Sequence, residues 1–391
     1  MSHPEATRSP TMVQVTRALQ RCDAIREEVE SYCTPERLTR YLRALADTPA
    51  PSGAAALMRA PVLQKLLEED GALEGDALRL NPDHERTGAV TLSCGGGTAV
   101  GLWYVAHLDS ISYLIQPHAD GRYPLVPYCY HLTEEGERQA EVLRYDLDAG
   151  TFVTHARGRL LSEEGEPFFL PDGAADLRPG DRVVPVTPFK AADDGLLTGH
   201  FDNAGGVAVM AVAAPVLARL GASAFFAMPD EEEGPAAVGN QSISRGATRL
   251  LAAAPTPRLS VVIDMQQTAA EGNGGPDGAG VPGSGAVLSE FSSRARGAVT
   301  PPHLYAAVRA FTAGLEARGA TVRETSNLYT SRSDDVAVMQ RSPGIVILGF
   351  PGADRHFDRA LPTAHLKDFV SLSRALVYMS LLFEELEGPV P

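Results

Sequence analysis

The chain has 391 residues, of which 44% are hydrophobic and 21% charged, a balance that indicates about two globular domains and argues against a disordered chain. Its formal net charge of −15 argues against nucleic acid and anionic membrane surfaces as partners. The four cysteines include no C-x-x-C pair and the amino terminus lacks an apolar signal segment, so we expect reduced cysteines in a cytoplasmic protein.

The predicted elements alternate helices with short apolar strands, except in one central stretch. A helical pattern over Pro35–Thr48 precedes a continuous apolar run, Ala99–His107, that reads as a buried strand. From Ser110 to Asp194, short apolar pieces alternate with frequent turn signals, which is typical of a small β-rich unit. Further along the chain, helices and buried strands are predicted at 204–220, 223–228, 259–264, 302–319, 344–350 and 364–386.

Strands without polar alternation, separated by helices, predict a mostly parallel sheet that is covered on both faces. The fold class is therefore α/β, with a three-layer α/β/α domain and an inserted, small, β-rich domain that resembles a barrel. The predicted boundaries place the first part of the α/β domain at 1–109, the insert at 110–194 and the second part at 195–391.

Imidazoles and carboxylates follow the predicted strands or begin a predicted helix. In open α/β sheets such positions meet in one crevice, and the borderline ligands found here suit Zn²⁺, Co²⁺ or Mn²⁺. Three carboxylates also suffice for one to bridge two ions, as in two-metal hydrolytic sites. The candidate ligands are His107, Asp202, Glu232, Asp264 and His356.

Each of these signals is weak by itself. A lone histidine is more often a core or surface residue, the acidic run Asp230–Glu233 reads equally as a solvated loop, and DNAGG reads equally as a helix N-cap. The joint order carries the information: HxD, then DN-x-G-G, then EE-x-G, then a strand ending in aspartate, then a late histidine.

In this order the motifs resemble the dinuclear-metal aminopeptidases of the glutamyl aminopeptidase and tetrahedral aminopeptidase type, within the zinc exopeptidase clan. The matching pieces include DTPAPSG (Asp47–Gly53), HLDSISYLI (His107–Ile115) and the return from the insert into the aspartate motif (Leu177–Val209). EEEG, VVID, VPGSG and FPGADRH then follow in family order. The 95 positions between His107 and Asp202 leave room for the domain that this family inserts there.

The resemblance implies a role for each candidate. His107 and Asp264 would hold one metal ion, and Glu232 and His356 the other. Asp202 would bridge the two ions. Outside the ligand set, Asp109 would fix the tautomer of His107 and Glu231 would be the general base.

Within the acidic run, adjacent residues at a strand end point in different directions, so that Glu232 can face a metal ion while Glu231 faces the water. Asp230 and Glu233 would then be solvated or structural. His365 is a second candidate for the late histidine, but it is predicted to open a helix, so His356 is preferred.

These observations predict a hydrolase that cleaves an amide bond with two divalent ions per chain, with zinc expected and cobalt or manganese as alternatives. An aminopeptidase acting on peptides is the first interpretation. A deacylase or amidase acting on a small amide is the second, and a non-catalytic scaffold the third. The resemblance also implies a homo-oligomer that assembles through the insert, with the family's twelve-subunit shell as one form.

Overall fold

The computed structural model describes residues 10–387 apart from 96–100, 119–120, 132, 235–243, 268–279, 326–332 and 357–359. Its α-helices are α1 (Pro10–Tyr32), α2 (Pro35–Ala46), α3 (Ala55–Glu69), α4 (Ala204–Arg219), α5 (Arg245–Ala253), α6 (Pro302–Ala313), α7 (Asp335–Val338) and α8 (Leu366–Glu387). Its strands are β1 (Leu78–Asn81), β2 (Val90–Cys94), β3 (Leu102–Val105), β4 (Tyr113–Ile115), β5 (Tyr123–Pro127), β6 (Gly136–Asp146), β7 (Thr151–Glu163), β8 (Glu166–Pro171), β9 (Arg182–Pro185), β10 (Lys190–Ala191), β11 (Leu196–Thr198), β12 (Ala224–Met228), β13 (Leu259–Gln267), β14 (Ala286–Ser289), β15 (Val322–Glu324), β16 (Gly344–Ala353) and β17 (Thr363–His365).

The predicted apolar strands form the centre of an 11-stranded sheet. β12, β3, β13 and β16 lie side by side and run parallel. β1 and β2 flank them on one side, and β17, β11 and β10 on the other, all in antiparallel pairs. β12 and β3 are buried along their whole length, which explains why they read as continuous apolar runs. The carboxyl ends of the parallel strands therefore meet at one edge.

Helices cover this sheet and share its core. α4 packs against β12 and β13, α8 packs against β16, and the two helices also contact each other. α4 is buried on every side from Ala204 to Leu217, because the sheet and neighbouring helices enclose it. Among the described helices, none has the length and apolar character required to cross a membrane.

The insert forms a closed six-stranded antiparallel barrel in the order β4-β5-β8-β7-β6-β9. Its first and last strands pair with each other, with Tyr113 opposite Val183. A separate apolar core fills it, which includes Val142 and Phe169. The predicted fold class, an α/β domain with an inserted β-rich barrel, is confirmed. The barrel strands lie between Tyr113 and Pro185, and the boundaries at 110 and 194 stay a prediction.

Two predicted helices differ from the observed ones. The helix predicted over 302–319 ends at Ala313, and a short 3-10 turn, Glu316–Arg318, precedes Gly319. Gly314 follows the helix, and glycine is a poor helix former; a Cβ at this position would lie 2.8 Å from the Leu19 side chain of α1. The helix predicted over 364–386 begins at Leu366, because the residues just before it extend the sheet as β17.

Candidate metal centre

The predicted ligands converge at the carboxyl edge of the parallel strands. His107 follows β3, Asp264 lies within β13 and His356 follows β16. Asp202 directly precedes α4. All four side chains are buried, so their polar atoms face one another instead of bulk water.

The start of α4 fixes Asp202 beside β13. Asn203 caps the helix by accepting a hydrogen bond from the Gly206 amide at 3.0 Å, and it donates to the Ile263 carbonyl at 2.8 Å. A Cβ at Gly205 would lie 2.5 Å from an aromatic ring of α8, so only glycine permits this approach. The DN-x-G-G motif therefore places the aspartate next to Asp264.

One half of the cluster surrounds His107. Its Nε2 lies 3.2 Å from Asp202 Oδ1, 3.7 Å from Asp264 Oδ1 and 3.8 Å from Glu232 Oε2. Its Nδ1 lies 3.2 Å from the Asp109 carbonyl, so a proton on Nδ1 leaves the Nε2 lone pair directed at the carboxylates. His107, Asp202 and Asp264 thus present one ligand atom each to a common point.

The other half surrounds His356. Its Nε2 lies 3.1 Å from Glu233 Oε2 and 3.5 Å from Asp202 Oδ2. Its Nδ1 lies 3.2 Å from the carbonyl of Tyr130, a barrel residue. Asp202 thus contributes one oxygen to each half, which is the arrangement of a bridging carboxylate. Arg355 also reaches Asp202, with Nη1 at 3.3 Å from Oδ2.

Asp109 supports both the histidine and the acidic run. Its carboxylate is fully buried and accepts hydrogen bonds from the Ser52 hydroxyl at 2.6 Å and from the Glu232 and Glu233 amides at 3.1 Å each. Its Oδ1 lies 3.5 Å from His107 Nδ1. The backbone carbonyl of Asp109, rather than its carboxylate, makes the closer contact with the imidazole.

The side chains of the acidic run point in directions that differ from those the predicted roles require, and the roles themselves stay a prediction. Glu231 faces away from the cluster: its Oε2 lies 2.5 Å from Arg249, and its Oε1 accepts from the Tyr128 hydroxyl at 3.0 Å. Glu233, expected to be solvated or structural, is buried beside His356. Glu232 was expected beside His356, but it lies in the half of the cluster that surrounds His107.

Four consecutive acids give no local signal that separates these two registers. The EE-x-G pattern was anchored on Gly234, yet that glycine is required for another reason. A Cβ at Gly234 would lie 2.5 Å from the carbonyl of Tyr128 in the barrel. A contact between distant parts of the chain therefore sets the register.

The charges of the cluster perturb one another strongly. Burial alone would lower the pKa of His107, but Glu232 and the other carboxylates hold it well above its usual value. Burial opposes ionisation of Asp202, yet hydrogen bonds with His107 and His356 keep its pKa well below the ordinary range. Burial, together with the charge of Asp202, raises the pKa of Asp264 to about 6. Cations that bind here would displace protons that the side chains otherwise share.

Several buried atoms of the cluster fit a metal ion. Within the described residues, Glu233 Oε1 and Asp264 Oδ2 are buried without a hydrogen-bond partner, and the buried Nε2 of His356 faces the carboxylates of Glu233 and Asp202. Unpartnered lone pairs at this depth are costly unless a cation engages them. Imidazole and carboxylate donors in two groups that share Asp202 fit a pair of divalent ions.

The cluster borders on one further acid that the sequence analysis missed. Asp334 is fully buried, and neither of its carboxylate oxygens has a hydrogen-bond partner among the described residues. Burial raises its pKa to about 8, and the charges of Asp109 and Asp264 act in the same direction while His107 opposes them. No motif marked Asp334, because it lies before a four-residue helix and not at the end of a parallel strand.

His365, the alternative late histidine, lies elsewhere. It ends β17, and its Nε2 lies 3.0 Å from the carbonyl of Asp194. Its Nδ1 accepts a hydrogen bond from the Lys367 amide at the start of α8, so it serves the helix start.

Comparisons with known proteins give one family match. The model of peptidase family M20/M25/M40 matches residues 177–380. No curated protein sequence matches the chain.

Three solved structures of similar fold come from archaea. The aminopeptidase APDkam598 of Desulfurococcus kamchatkensis superposes with a TM-score of 0.67 at 17% identity, over 91% of this chain and 99% of that one. The Pyrococcus horikoshii TET1 peptidase can assemble into a tetrahedron or a large octahedral shell. It superposes with a TM-score of 0.65 at 18% identity, over 88% of this chain and 99% of that one. A TET aminopeptidase from a marine sediment thaumarchaeon superposes with a TM-score of 0.67 at 15% identity, over 88% of this chain and 96% of that one. The predicted likeness to tetrahedral aminopeptidases is confirmed at the level of the fold.

Proposed function

Because the chain belongs to peptidase family M20/M25/M40, we propose that it is a two-metal aminopeptidase that removes residues from the amino termini of peptides. The observation that carries the proposal is the buried cluster of imidazoles and carboxylates around a shared aspartate, in which Glu233 Oε1 and Asp264 Oδ2 have no hydrogen-bond partner among the described residues. The names of the structural neighbours support the aminopeptidase class over other amide hydrolases.

The distances support a ligand assignment that differs in one residue from the predicted one. We assign His107 and Asp264 to one ion and Glu233 and His356 to the other, with Asp202 between them. Zinc suits imidazole and carboxylate donors, and cobalt and manganese are the alternatives to be tested.

Glu232 then takes the role of general base. Its Oε2 lies 3.8 Å from His107 Nε2, it forms a group with His107 and Glu233, and its backbone amide donates to the Asp109 carboxylate. When two divalent ions are bound, they supply Lewis-acid polarisation of the scissile carbonyl and lower the pKa of a water molecule. Glu232 accepts the proton of the attacking water and delivers it to the leaving amine.

A paired measurement tests the proposal. Purified protein is assayed for bound metals, and then with aminoacyl anilides and their N-acetylated counterparts. We expect close to two divalent ions per chain and turnover of the free-amine substrates only. Turnover of the N-acetylated series alone would favour the deacylase, and metal content near zero after reconstitution would contradict both.

The barrel supports a homo-oligomer and the cysteines support a cytoplasmic location. The β6–β7 hairpin exposes Tyr145, Leu147 and Val153, with Leu147 88% exposed, which fits a surface that a second copy covers. All four cysteines are free and buried, as expected in a reducing compartment. Light scattering should show at least a dimer, and Leu147→Asp should lower the mass. A wild-type monomer at micromolar concentration would contradict this.

A further inference from the structure

The side chain of Glu231 is held by two elements that lie outside the ligand set. Arg249 of α5 contacts its Oε2 at 2.5 Å, and Tyr128, just after β5 of the barrel, donates to its Oε1 at 3.0 Å. Arg249 is itself fixed, because its Nε donates to the Thr87 carbonyl at 3.0 Å. We call Tyr128, Glu231 and Arg249 the Glu231 clamp.

The backbone at Glu231 requires such support. Its φ of 57° lies in the left-handed region, which a glutamate rarely adopts unless its surroundings impose it. The carbonyl of Glu231 accepts from the Arg245 amide at the start of α5 at 3.1 Å. On its other side, the Asp230 carboxylate accepts from the Gly53 and Ala55 amides at 2.9 and 3.0 Å. The turn is therefore anchored on both sides.

This turn decides which acids face the metal centre. With the Glu231 side chain drawn outward by the clamp, the next two residues direct their carboxylates at His107 and His356. Released from the clamp, the run could slip by one position, since each neighbouring residue is also an acid. The clamp thus selects one register from two that are chemically similar.

The barrel segment Tyr128–Tyr130 also touches the other ligand of the same ion. The Tyr130 carbonyl lies 3.2 Å from His356 Nδ1 and so sets the orientation of its ring. Tyr128 supports the turn that carries Glu233 through both its hydroxyl and its close packing on Gly234. One short segment of the barrel therefore contacts the ligand His356 directly and supports the turn that carries the other ligand of this half, Glu233.

We propose that the Glu231 clamp is a positioning device through which the barrel sets the affinity of the ion position formed by Glu233 and His356. Glu231 is then a positioning residue and not the base. The proposal rests on the proposed two-metal function and adds to it a role for the barrel inside each subunit. It predicts unequal effects on the two ion positions.

The test uses the full-length protein and conservative variants. Zinc binding is titrated against a chromophoric chelator for wild type, Tyr128→Phe, Glu231→Gln and the double variant. Tyr123→Phe is the matched control, because its hydroxyl donates to the Ala175 carbonyl within the barrel at 2.7 Å and not to a residue of the Glu231 clamp. Each single clamp variant should weaken one ion by about 10–100-fold, as supports of metal ligands typically do. Tyr123→Phe should change neither ion.

Two further comparisons identify the position and the coupling. Combined with Asp264→Ala, Tyr128→Phe should still weaken the remaining ion, whereas combined with His356→Ala it should not. The double clamp variant should be no weaker than the more affected single variant, because both substitutions break one unit. Multiplied losses in the double variant would show two independent contributions and overturn the clamp.

The pH profile of kcat/KM separates a positioning role from a base. Glu231→Gln should keep the acidic limb of the profile, and Glu232→Gln should remove it. Retention of both ions by Glu231→Gln with loss of turnover and of the acidic limb would instead make Glu231 the base. Should Glu231→Gln fail to fold by circular dichroism, Tyr128→Phe decides. A wild type without a pair of ions contradicts the proposed function, and a two-ion wild type with unchanged clamp variants contradicts the clamp alone.

Discussion

Replacing Asp109 by asparagine should weaken metal binding although Asp109 is not assigned as a ligand. The carboxylate accepts three hydrogen bonds: Oδ1 from the Glu232 amide, and Oδ2 from the Glu233 amide and the Ser52 hydroxyl. An asparagine at this position has nearly the same shape, but one of its two acceptors becomes an NH₂ donor. In either orientation of the amide, a donor then faces a backbone N–H.

The less costly orientation directs the NH₂ at the Glu232 amide, because only one bond is lost there. A buried N–H left without an acceptor costs about 1–3 kcal/mol, and the two remaining bonds lose the strengthening that a charged acceptor gives, roughly 1 kcal/mol each. The sum, about 3–5 kcal/mol, falls on the turn that carries Glu232 and Glu233. We expect a loss of about 10–100-fold in zinc affinity as that turn relaxes.

Chelator competition measures the affinity, and thermal unfolding of the metal-free protein measures the loss of stability. Asp146→Asn is the matched control, because Asp146 also accepts two backbone amides, at 2.8 and 3.0 Å, but at the exposed β6–β7 turn where water can replace it. The control should leave zinc affinity unchanged. Equal zinc affinity in Asp109→Asn and wild type would refute the argument that these hydrogen bonds hold the ligands.

Further predictions concern the acids and histidines of the site. Glu232→Gln should keep both ions and lose turnover by about 10²–10⁴-fold, whereas Glu233→Gln should release one ion. Metal analysis and kinetics measure the two effects, and the opposite pattern would mean that the two residues have each other's role. His356→Ala should abolish activity and His365→Ala should largely keep it; equal losses in an anilide assay would contradict the separation of the two residues. Asp368 accepts the Gly283 and Gly285 amides at 2.7 Å, yet burial outweighs these bonds and raises its pKa to about 7. Its folded form therefore holds a proton that the unfolded chain releases above about pH 4, so its contribution to stability grows as pH falls from 7 to 4. The melting temperature of Asp368→Asn should depend less on pH over that range than that of wild type. Parallel dependence in the two proteins would contradict the raised pKa of Asp368.

The parallel centre of the sheet, and the edge at which the candidate ligands lie together, could be predicted from the sequence for a simple reason. β3 and β12 are buried on both faces, so they appear as uninterrupted apolar runs that end abruptly in polar residues. Parallel strands bring such ends to one edge, so His107 and the acidic run could be expected near each other. Asp202 was found through the helix start that follows it.

The register of the acidic run could not be obtained in this way. It depends on the Tyr128 hydroxyl, on Arg249 and on the close packing at Gly234, which are contacts between segments far apart in the chain. Local pattern treats Glu231, Glu232 and Glu233 as equivalent. Only the tertiary contacts of Glu231 distinguish it from Glu232 and Glu233.

The same limit explains the residues that were missed. Asp334 precedes a four-residue helix, which is too short to show a periodic pattern in the sequence. The close approach of Gly314 to Leu19 of α1, some 295 positions away in the chain, could not be predicted for the same reason. Such close contacts leave no mark on local hydropathy.

The pairing of Tyr113 with Val183 has a consequence for how the two halves of the site find each other during folding. His107 and Asp202 are 95 positions apart, so the two ends of this segment must come together before the two side chains can contact each other. A barrel that has already closed joins its own first and last strands, so only about 25 residues of chain then separate the two ligands along the shortest path. The entropy of loop closure scales with the logarithm of length, so this shortening reduces its free-energy cost by ~1 kcal/mol. A barrel that folds first therefore favours the meeting of His107 with Asp202 by shortening the path between them.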